Sequence, residues 1–189
     1  MRTLVLAMVT SAFCLGVSAQ APVTPDTRAE DVATQEDFQS RVSKYYDLRN
    51  RLGGKNTQQT KSAEEVKNRQ EQLAGKVRAQ RANAKHEDIF TDKIAELFKQ
   101  KLKLAYRGGN GARIRTSLAH AEPAPKLRLQ VNAEYPAQVP LQSTPPTILM
   151  NLPRLPNGLE YRFVGRDLIL YDSATNLVVD YVHEALPSK

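Results

Sequence analysis

The chain has 189 residues, of which 41% are hydrophobic, and it carries 27 Lys and Arg against 20 Asp and Glu for a formal net charge of +7. This length suits one ordinary domain or two small modules joined by a linker. The one cysteine, Cys14, lies in the N-terminal apolar run. A mature chain without that run therefore has no disulfide and no thiol chemistry.

The first 19 residues have the pattern of a secretory signal peptide. Arg2 precedes an apolar run over residues 4–17, and Ala19 supplies a small residue at the cleavage point. A transmembrane anchor is the alternative, but the run is shorter than the roughly 20 residues that a span needs. We expect cleavage after Ala19, no transmembrane span in the mature chain, and an exported product that is periplasmic or secreted.

Charge and proline content divide the rest of the chain. Positive charge is concentrated in residues 20–121, and eight of the 11 prolines fall in residues 122–156. So many fixed φ angles and missing N–H donors exclude a long helix or a central strand there, and favour an extended segment along the rest of the protein. The predicted parts are a flexible N-terminal segment (20–33), a basic helical region (34–121), a Pro-rich connector (122–156) and a β-meander (157–185).

Three to four amphipathic helices are predicted in the basic region. Thr34 can cap the first helix, Ser62 opens the second with a capping-box pattern, and Thr91 opens the third. The third helix has the clearest apolar stripe and ends at Gly108, and Asn110 can cap a short fourth helix. An amphipathic helix must bury its stripe, so we expect the third helix to cover the sheet.

The first turn of the meander is set by Gly165, which begins a two-residue hairpin turn of type II′. With that turn, Phe163 lies opposite Leu168 in the neighbouring strand. Tyr161 then lies opposite Leu170. The first hairpin is therefore predicted pair by pair.

The second turn ends at Asn176, a residue type that tolerates the left-handed backbone expected there. A loop over residues 173–176 places Leu170 opposite Val179, and Leu168 opposite Tyr181. One face of the meander is then apolar throughout, and its members are Tyr161, Phe163, Leu168, Leu170, Leu177, Val179 and Tyr181.

The predicted fold class is α+β, with the helices, the extended connector and a C-terminal three-stranded antiparallel meander in that order. A sheet of three strands needs a cover on its apolar face. The opposite face mixes polar and apolar residues, so we expect it to be half covered. Asp167, Asp172 and Asp180 fall at or near strand ends, where we expect acids to solvate an edge or satisfy a turn.

Residues 152–181 resemble the C-terminal end of exported bacterial proteins of uncharacterised function from acidobacteria and proteobacteria. The segments VNAEYP (131–136) and DIFT (88–91) extend this resemblance over most of the mature chain. It implies no activity. The meander alone is similar to the periplasmic nickel and cobalt homeostasis family, which has Gly where Asn176 stands here. This chain lacks the His- and aromatic-rich lead-in of that family.

Two short motifs are candidate ligand sites. His86 stands beside two carboxylates, but no second histidine has the i, i+4 spacing of a helical metal site, and a solvated helix-entry cluster is the alternative. The glycine-rich run 107–111 could cradle a phosphate, but it lacks the Walker Lys-Ser/Thr pair and follows no predicted strand. We interpret it as one helix end followed by a helix start. We predict no catalytic residue, no metal and no cofactor, because the chain has no nucleophile elbow and no cysteine outside the signal peptide.

The third helix carries a possible electrostatic contact surface made of Lys99, Lys101, Lys103 and Arg107. A solvated charged face is the alternative. Export and the lack of a base-stacking motif argue against nucleic acid as a partner. The remaining candidates are an anionic membrane or an acidic polymer.

These observations predict an exported, non-enzymatic envelope protein that binds a partner protein or an anionic surface through its helical face or a sheet edge. Residues 126–131 alternate polar with apolar side chains and can pair with an exposed strand edge. The alternative is a periplasmic small-ligand or metal-binding module concerned with homeostasis. The oligomeric state and the specific partner have no signature in the sequence.

Overall fold

The computed structural model describes residues 25–54, 62–119, 127–136, 138–139 and 142–187. The predicted signal peptide lies outside the described residues. The fold is α+β, as predicted. In chain order its elements are helices α1 (Pro25–Gly53), α2 (Ala63–Gln80), α3 (Asp92–Arg107) and α4 (Gly111–Ala119), strand β1 (Gln142–Ser143), helix α5 (Pro146–Leu149), and strands β2 (Leu159–Val164), β3 (Asp167–Asp172) and β4 (Leu177–Val182).

Helix α1 begins at Pro25 rather than at Thr34, so the predicted flexible segment is helical over residues 25–33. Proline is tolerated at a first helical position because its missing N–H would have no intrahelical acceptor there. Asp26 lies in the positive first turn, which it stabilises. Most of residues 26–33 are exposed, so no apolar period marks this part of the helix in the sequence.

The next helices begin close to the predicted positions. Ser62 caps α2, and its Oγ accepts a hydrogen bond from the Glu65 N–H at 3.2 Å. Thr91 is the N-cap residue of α3, although its side chain makes no capping hydrogen bond. Gly108 follows the last residue of α3, and α4 begins directly after Asn110.

The sheet is antiparallel, in the order β1-β2-β3-β4, and its last three strands form the predicted meander. In the first hairpin Tyr161 pairs with Leu170, and Phe163 pairs with Leu168, as predicted. Gly165 has a φ of 61°, the left-handed value that the first position of its turn requires. The two-residue strand β1 adds a fourth strand beside β2.

The second hairpin differs from its predicted register because β4 contains a β-bulge. The loop is the predicted one, and Asn176 has a φ of 54°. Opposite the step from Leu170 to Tyr171, however, β4 carries one extra residue, so Leu170 pairs with Asp180 rather than with Val179.

The bulge reverses the alternation of side chains in the last part of β4. Leu168 pairs with Val182, and Tyr181 pairs with Ile169. Val182 therefore joins the helical core, while Tyr181 belongs to the cluster on the opposite face, where it was not predicted. The other six residues of the predicted apolar face do lie in the helical core.

The core between the sheet and the helices is built around aromatic rings. These rings belong to Phe38 of α1, Phe90, Phe98 of α3 and Tyr161 of β2. The centroids of neighbouring rings lie 4.8 to 6.4 Å apart. Pairs at such distances are worth roughly 0.5–1.5 kcal/mol beyond the area that they bury. Val77 of α2 is also in this core. Three helices thus cover the sheet, not α3 alone.

The opposite face of the sheet is buried rather than half covered, and the connector covers it. Leu129, Tyr135 and Val139 pack against Ile169 and other residues of this face. This part of the connector therefore packs along the sheet, a point that the sequence left open.

The connector also pairs with the outer edge of β4 by backbone hydrogen bonds. The Asn132 N–H donates to the Val178 carbonyl at 2.8 Å, and the Val178 N–H donates to the Ala133 carbonyl at 2.9 Å. The Tyr135 N–H donates to the Asn176 carbonyl at 2.9 Å. The first part of this edge, at residues 176–178, is therefore closed within the chain itself.

No helix in the described part of the chain combines the length and the apolarity that crossing a membrane requires.

Candidate functional site

The carboxylate of Asp180 is fully buried and does not solvate a strand end as predicted. The bulge turns it toward the segment between α2 and α3. There it accepts hydrogen bonds from the N–H groups of Ile89 at 2.8 Å, Phe90 at 2.9 Å and Glu87 at 3.3 Å. With its lone pairs committed to backbone donors, Asp180 fixes the entry to α3 and is not available for chemistry.

Asp172 is the second buried acid. It does not solvate an edge, but it satisfies the β3–β4 turn, which is the other role predicted for it. Its Oδ2 accepts from the Tyr45 hydroxyl at 2.7 Å, and its Oδ1 accepts from Arg49 Nη1 and from the Ala174 N–H, both at 3.0 Å. Burial, and next the charge of Asp172, raise the pKa of Tyr45 well above its ordinary value. This network ties α1 to the β3–β4 loop.

Arg81 links the end of α2 to both the connector and the sheet. Its guanidinium donates to Asn132 Oδ1 at 2.8 Å and lies 5.0 Å from the centre of the Tyr45 ring. Burial lowers the pKa of Arg81, and the nearby groups Tyr45 and Asp180 oppose that shift. The arrangement is structural, because each of these polar groups is held by another part of the fold.

The structure brings together two histidines that are far apart in the sequence. The rings of His86 and His183 lie 5.6 Å apart, and each contacts Tyr181, with centroid distances of 4.1 and 4.8 Å. His86 lies 3.4 Å from a Glu87 carboxylate oxygen, and His183 lies 3.3 Å from one of Asp167. Among the described residues no three His, Cys, Asp or Glu side chains are arranged to hold a metal ion.

The glycine-rich run is occupied by backbone contacts between α3 and α4. The Gly108 N–H donates to the Leu104 carbonyl at 2.9 Å, and the Ile114 N–H donates to the Asn110 carbonyl at 3.1 Å. A Cβ on Gly111 would lie only 2.0 Å from the Tyr106 carbonyl oxygen, so the tight turn requires glycine there. The prediction of a helix end followed by a helix start is confirmed.

Three of the four predicted cations lie along one side of α3. Lys99, Lys103 and Arg107 recur at intervals of four residues, which places them in one row, whereas Lys101 points to another side. Lys103 and Arg107 are exposed, while Lys99 is half-buried and lies 3.3 Å from a Glu96 oxygen. We call Lys99, Lys103 and Arg107 the basic row.

An exposed leucine adjoins the basic row. Leu104 is 72% exposed, although most leucines of the described chain are buried. On a helix its neighbours three residues away are Lys101 and Arg107, and Lys103 precedes it. Met150, which follows α5, is 86% exposed, and α5 packs against α3. Leu104 is therefore an exposed apolar side chain within a positive surround on α3.

The other candidate site is a groove at the edge of β2. It has a volume of about 520 Å³. We call it the edge groove, and its lining residues are Thr144, Leu149, Pro153, Arg154, Leu155, Leu159, Glu160, Tyr161 and Arg162.

The sequence gives no direct sign of the edge groove. Its floor comes from β2, and its outer wall is formed by α5 and the prolines that follow it. In the sequence this wall belongs to the segment that was predicted only as a Pro-rich connector. Pro145 and Pro146 end β1 after two residues and start α5. This early end of β1 leaves the first half of β2 beside the groove.

Comparisons with protein-family models, with curated proteins and with solved structures found no match for this chain. The two resemblances given above therefore remain predictions.

Proposed function

We propose that this chain is an exported, non-enzymatic envelope protein that binds an anionic surface through the basic row and Leu104. The observation that carries the proposal is the exposure of Leu104 between Lys101 and Arg107 on the same helix. A cationic helix side that also shows an apolar side chain matches the chemistry of an interface with anionic lipid.

The charge balance around this surface supports the proposal. Arg113 and Arg115 of α4 are exposed beyond the basic row, and the nearest acid on α3 is Glu96, which lies beside Lys99. An exposed pair of this kind contributes about 0–1 kcal/mol, so an anionic surface can compete for Lys99 at little cost. Each Lys or Arg near an anionic membrane contributes about 1 kcal/mol, and several are needed for stable binding.

The test is co-sedimentation of the signal-free protein with vesicles that contain about 30% phosphatidylglycerol, which gives them an anionic surface. We expect binding at low salt, no binding at about 0.5 M salt, and none to purely zwitterionic vesicles. The double variant Lys103→Glu with Arg107→Glu should weaken binding on the order of 30-fold or more.

Controls separate this surface from the general basicity of the protein. Lys76→Glu changes an exposed lysine of α2 and should weaken binding far less than reversal of Lys103. Leu104→Ser keeps the charge and should lower affinity at all salt concentrations. Equal effects of the Lys76 and Lys103 reversals, or an absence of vesicle binding at low salt, would refute the proposal.

A metal-binding module is the second candidate, and the proximity of His86 and His183 favours it. Imidazole is a good ligand for nickel, cobalt and zinc, and the flanking carboxylates of Glu87 and Asp167 would strengthen such a site after side-chain rotation. Adding each metal should raise the melting temperature of the wild type but not of His183→Ala. A melting temperature unchanged by all three metals would remove this candidate.

A further inference from the structure

We propose that the protein docks on an anionic membrane end-on, through the turn between α3 and α4, and holds an acidic end away from the lipid. This inference deepens the proposed function, on which it rests, because it states which part of the protein meets the membrane. Three observations carry it: the split charge of α3, the acids that α1 adds beside it, and the arginines around the turn.

The first observation is that one side of α3 carries both signs of charge. Glu96, Lys103 and Arg107 are spaced seven and four residues apart, which places them on the same side of the helix. Asp92 lies one turn before Glu96, and both acids are exposed. If α3 lay flat on a membrane along this side, its acids would meet the anionic surface together with its cations.

The second observation is that α1 adds further acids beside the first half of α3. Glu30 and Asp31 of α1 line a groove together with Asp92, Lys93 and Glu96 of α3. Lys93 lies 3.5 Å from a Glu30 carboxylate oxygen, which places this part of α1 against the first turn of α3. The acidic end is defined as Glu30, Asp31, Asp92 and Glu96. Its four acids would repel an anionic surface, so flat docking along α3 is unfavourable.

End-on docking separates the two charges by distance. At 1.5 Å per residue, Arg107 lies about 16 Å along the helix from Glu96, the nearest acid of the acidic end on α3. Electrostatic interactions between exposed groups fall off over about 8 Å at physiological ionic strength. When α3 meets the lipid with its last turn, Lys103 and Arg107 therefore lie within this range, and salt screens the repulsion from the acidic end.

The third observation is a set of arginines around the turn between the two helices. Arg115 of α4 folds back on α3, because its Nη1 donates to the Tyr106 carbonyl at 3.0 Å and its guanidinium lies 5.5 Å from the centre of the Tyr106 ring. This hydrogen bond satisfies a carbonyl of the last turn and offsets the negative end of the helix dipole. Arg107 and Arg113 lie on either side of the turn, and they are exposed, as are residues 108–110. A membrane at this end therefore meets cations from both helices.

Single charge changes in the vesicle co-sedimentation assay test which end docks. Arg113→Glu should weaken binding about as much as Arg107→Glu, each at least about fivefold, although Arg113 lies outside the basic row. Arg78→Glu, the same change at an exposed arginine of α2, is the matched control and should weaken binding less than about twofold. Asp92→Asn with Glu96→Gln should change the affinity by less than about twofold, whereas flat docking predicts a gain of at least about fivefold.

A fluorescent label tests the orientation directly. The one cysteine of the sequence lies in the predicted signal peptide, so the signal-free protein can carry an NBD label on a single introduced cysteine. Gly109→Cys places the label at the turn, where an added Cβ would meet no other part of the described chain within 4 Å. Asp92→Cys places it at the acidic end. Vesicles with doxyl-labelled lipid should quench the label at position 109 and leave the label at position 92 unquenched.

The outcomes separate the docking mode from the proposed function. Vesicle binding with both labels quenched, with equal effects of the Arg113 and Arg78 changes, or with tighter binding by the variant that lacks the two acids would overturn end-on docking and leave the anionic-surface proposal standing. An absence of vesicle binding at low salt would overturn both. A concentration-dependent dimer at low salt that Arg113→Glu abolishes would also overturn the inference, because the turn would then meet the acidic end of a second copy of this chain.

Discussion

Replacing Asp180 by alanine should destabilise the protein more than removing any exposed carboxylate would. The side chain has no solvent exposure, and it receives the N–H groups of Ile89 and Phe90 at 2.8 and 2.9 Å. Alanine leaves both donors without an acceptor. They lie directly before α3, which supplies Ile94 and Phe98 to the core.

The size of the effect follows from these two donors. A buried donor left without a partner costs about 1–3 kcal/mol, so Ile89 and Phe90 together give about 2–6 kcal/mol. The Glu87 N–H is only partly buried, and water can replace the carboxylate there. We expect a loss of about 4 kcal/mol, which is a large share of the 5–15 kcal/mol typical for a domain.

Urea unfolding followed by far-ultraviolet circular dichroism measures this loss. Asp180→Asn keeps one acceptor oxygen and should fall between wild type and Asp180→Ala. Asp47→Asn, at an exposed position of α1, should change the free energy of unfolding by less than about 0.5 kcal/mol. A loss below about 1 kcal/mol for Asp180→Ala would show that the carboxylate does not hold the entry to α3.

Three further predictions concern the core. Leu170→Asp places a charge at a position with no exposure and should abolish folding, as seen by circular dichroism, whereas Leu104→Asp at the surface should fold normally. Tyr45→Phe removes the 2.7 Å hydrogen bond to Asp172 and should cost about 1.5–3 kcal/mol in urea unfolding, with Tyr46→Phe near zero. Because the pKa of Tyr45 is raised in the native state, the unfolded chain releases this proton first, near its ordinary value of 10.0. The free energy of unfolding should therefore fall as pH rises above 10, by up to about 1.4 kcal/mol per pH unit from this tyrosine, and urea unfolding of Tyr45→Phe should show a shallower decline.

Local signals in the sequence were sufficient for most helix ends and for the first hairpin. The capping-box pattern at Ser62 predicts the start of α2 because the cap satisfies a donor that the helix leaves open. Gly165 fixes the first hairpin because a two-residue turn allows one register. The start of α1 was missed because its first two turns are mostly exposed and show no apolar period.

The bulge in β4 could not be predicted from the same signals. Leu177, Val178 and Val179 all favour strands, so no residue among them marks the place where alternation breaks. What holds the bulge is tertiary: Asp180 reaches donors near Ile89, far away in the sequence. The meeting of His86 and His183 follows from the same contact, and the edge groove depends on how the connector returns to β2.

The bulge also determines where β4 can change in length. Removing one residue from a regular strand turns every later side chain to the wrong face, which would send Asp180 away from its donors. Here the extra residue is a valine next to another valine, so deleting Val178 or Val179 yields the same shortened chain. In that chain Asp180 can pair with Leu170 without a bulge, and the later residues of β4 keep their partners in β3. This valine pair is therefore the point in β4 where evolution could delete a residue and still preserve the entry to α3.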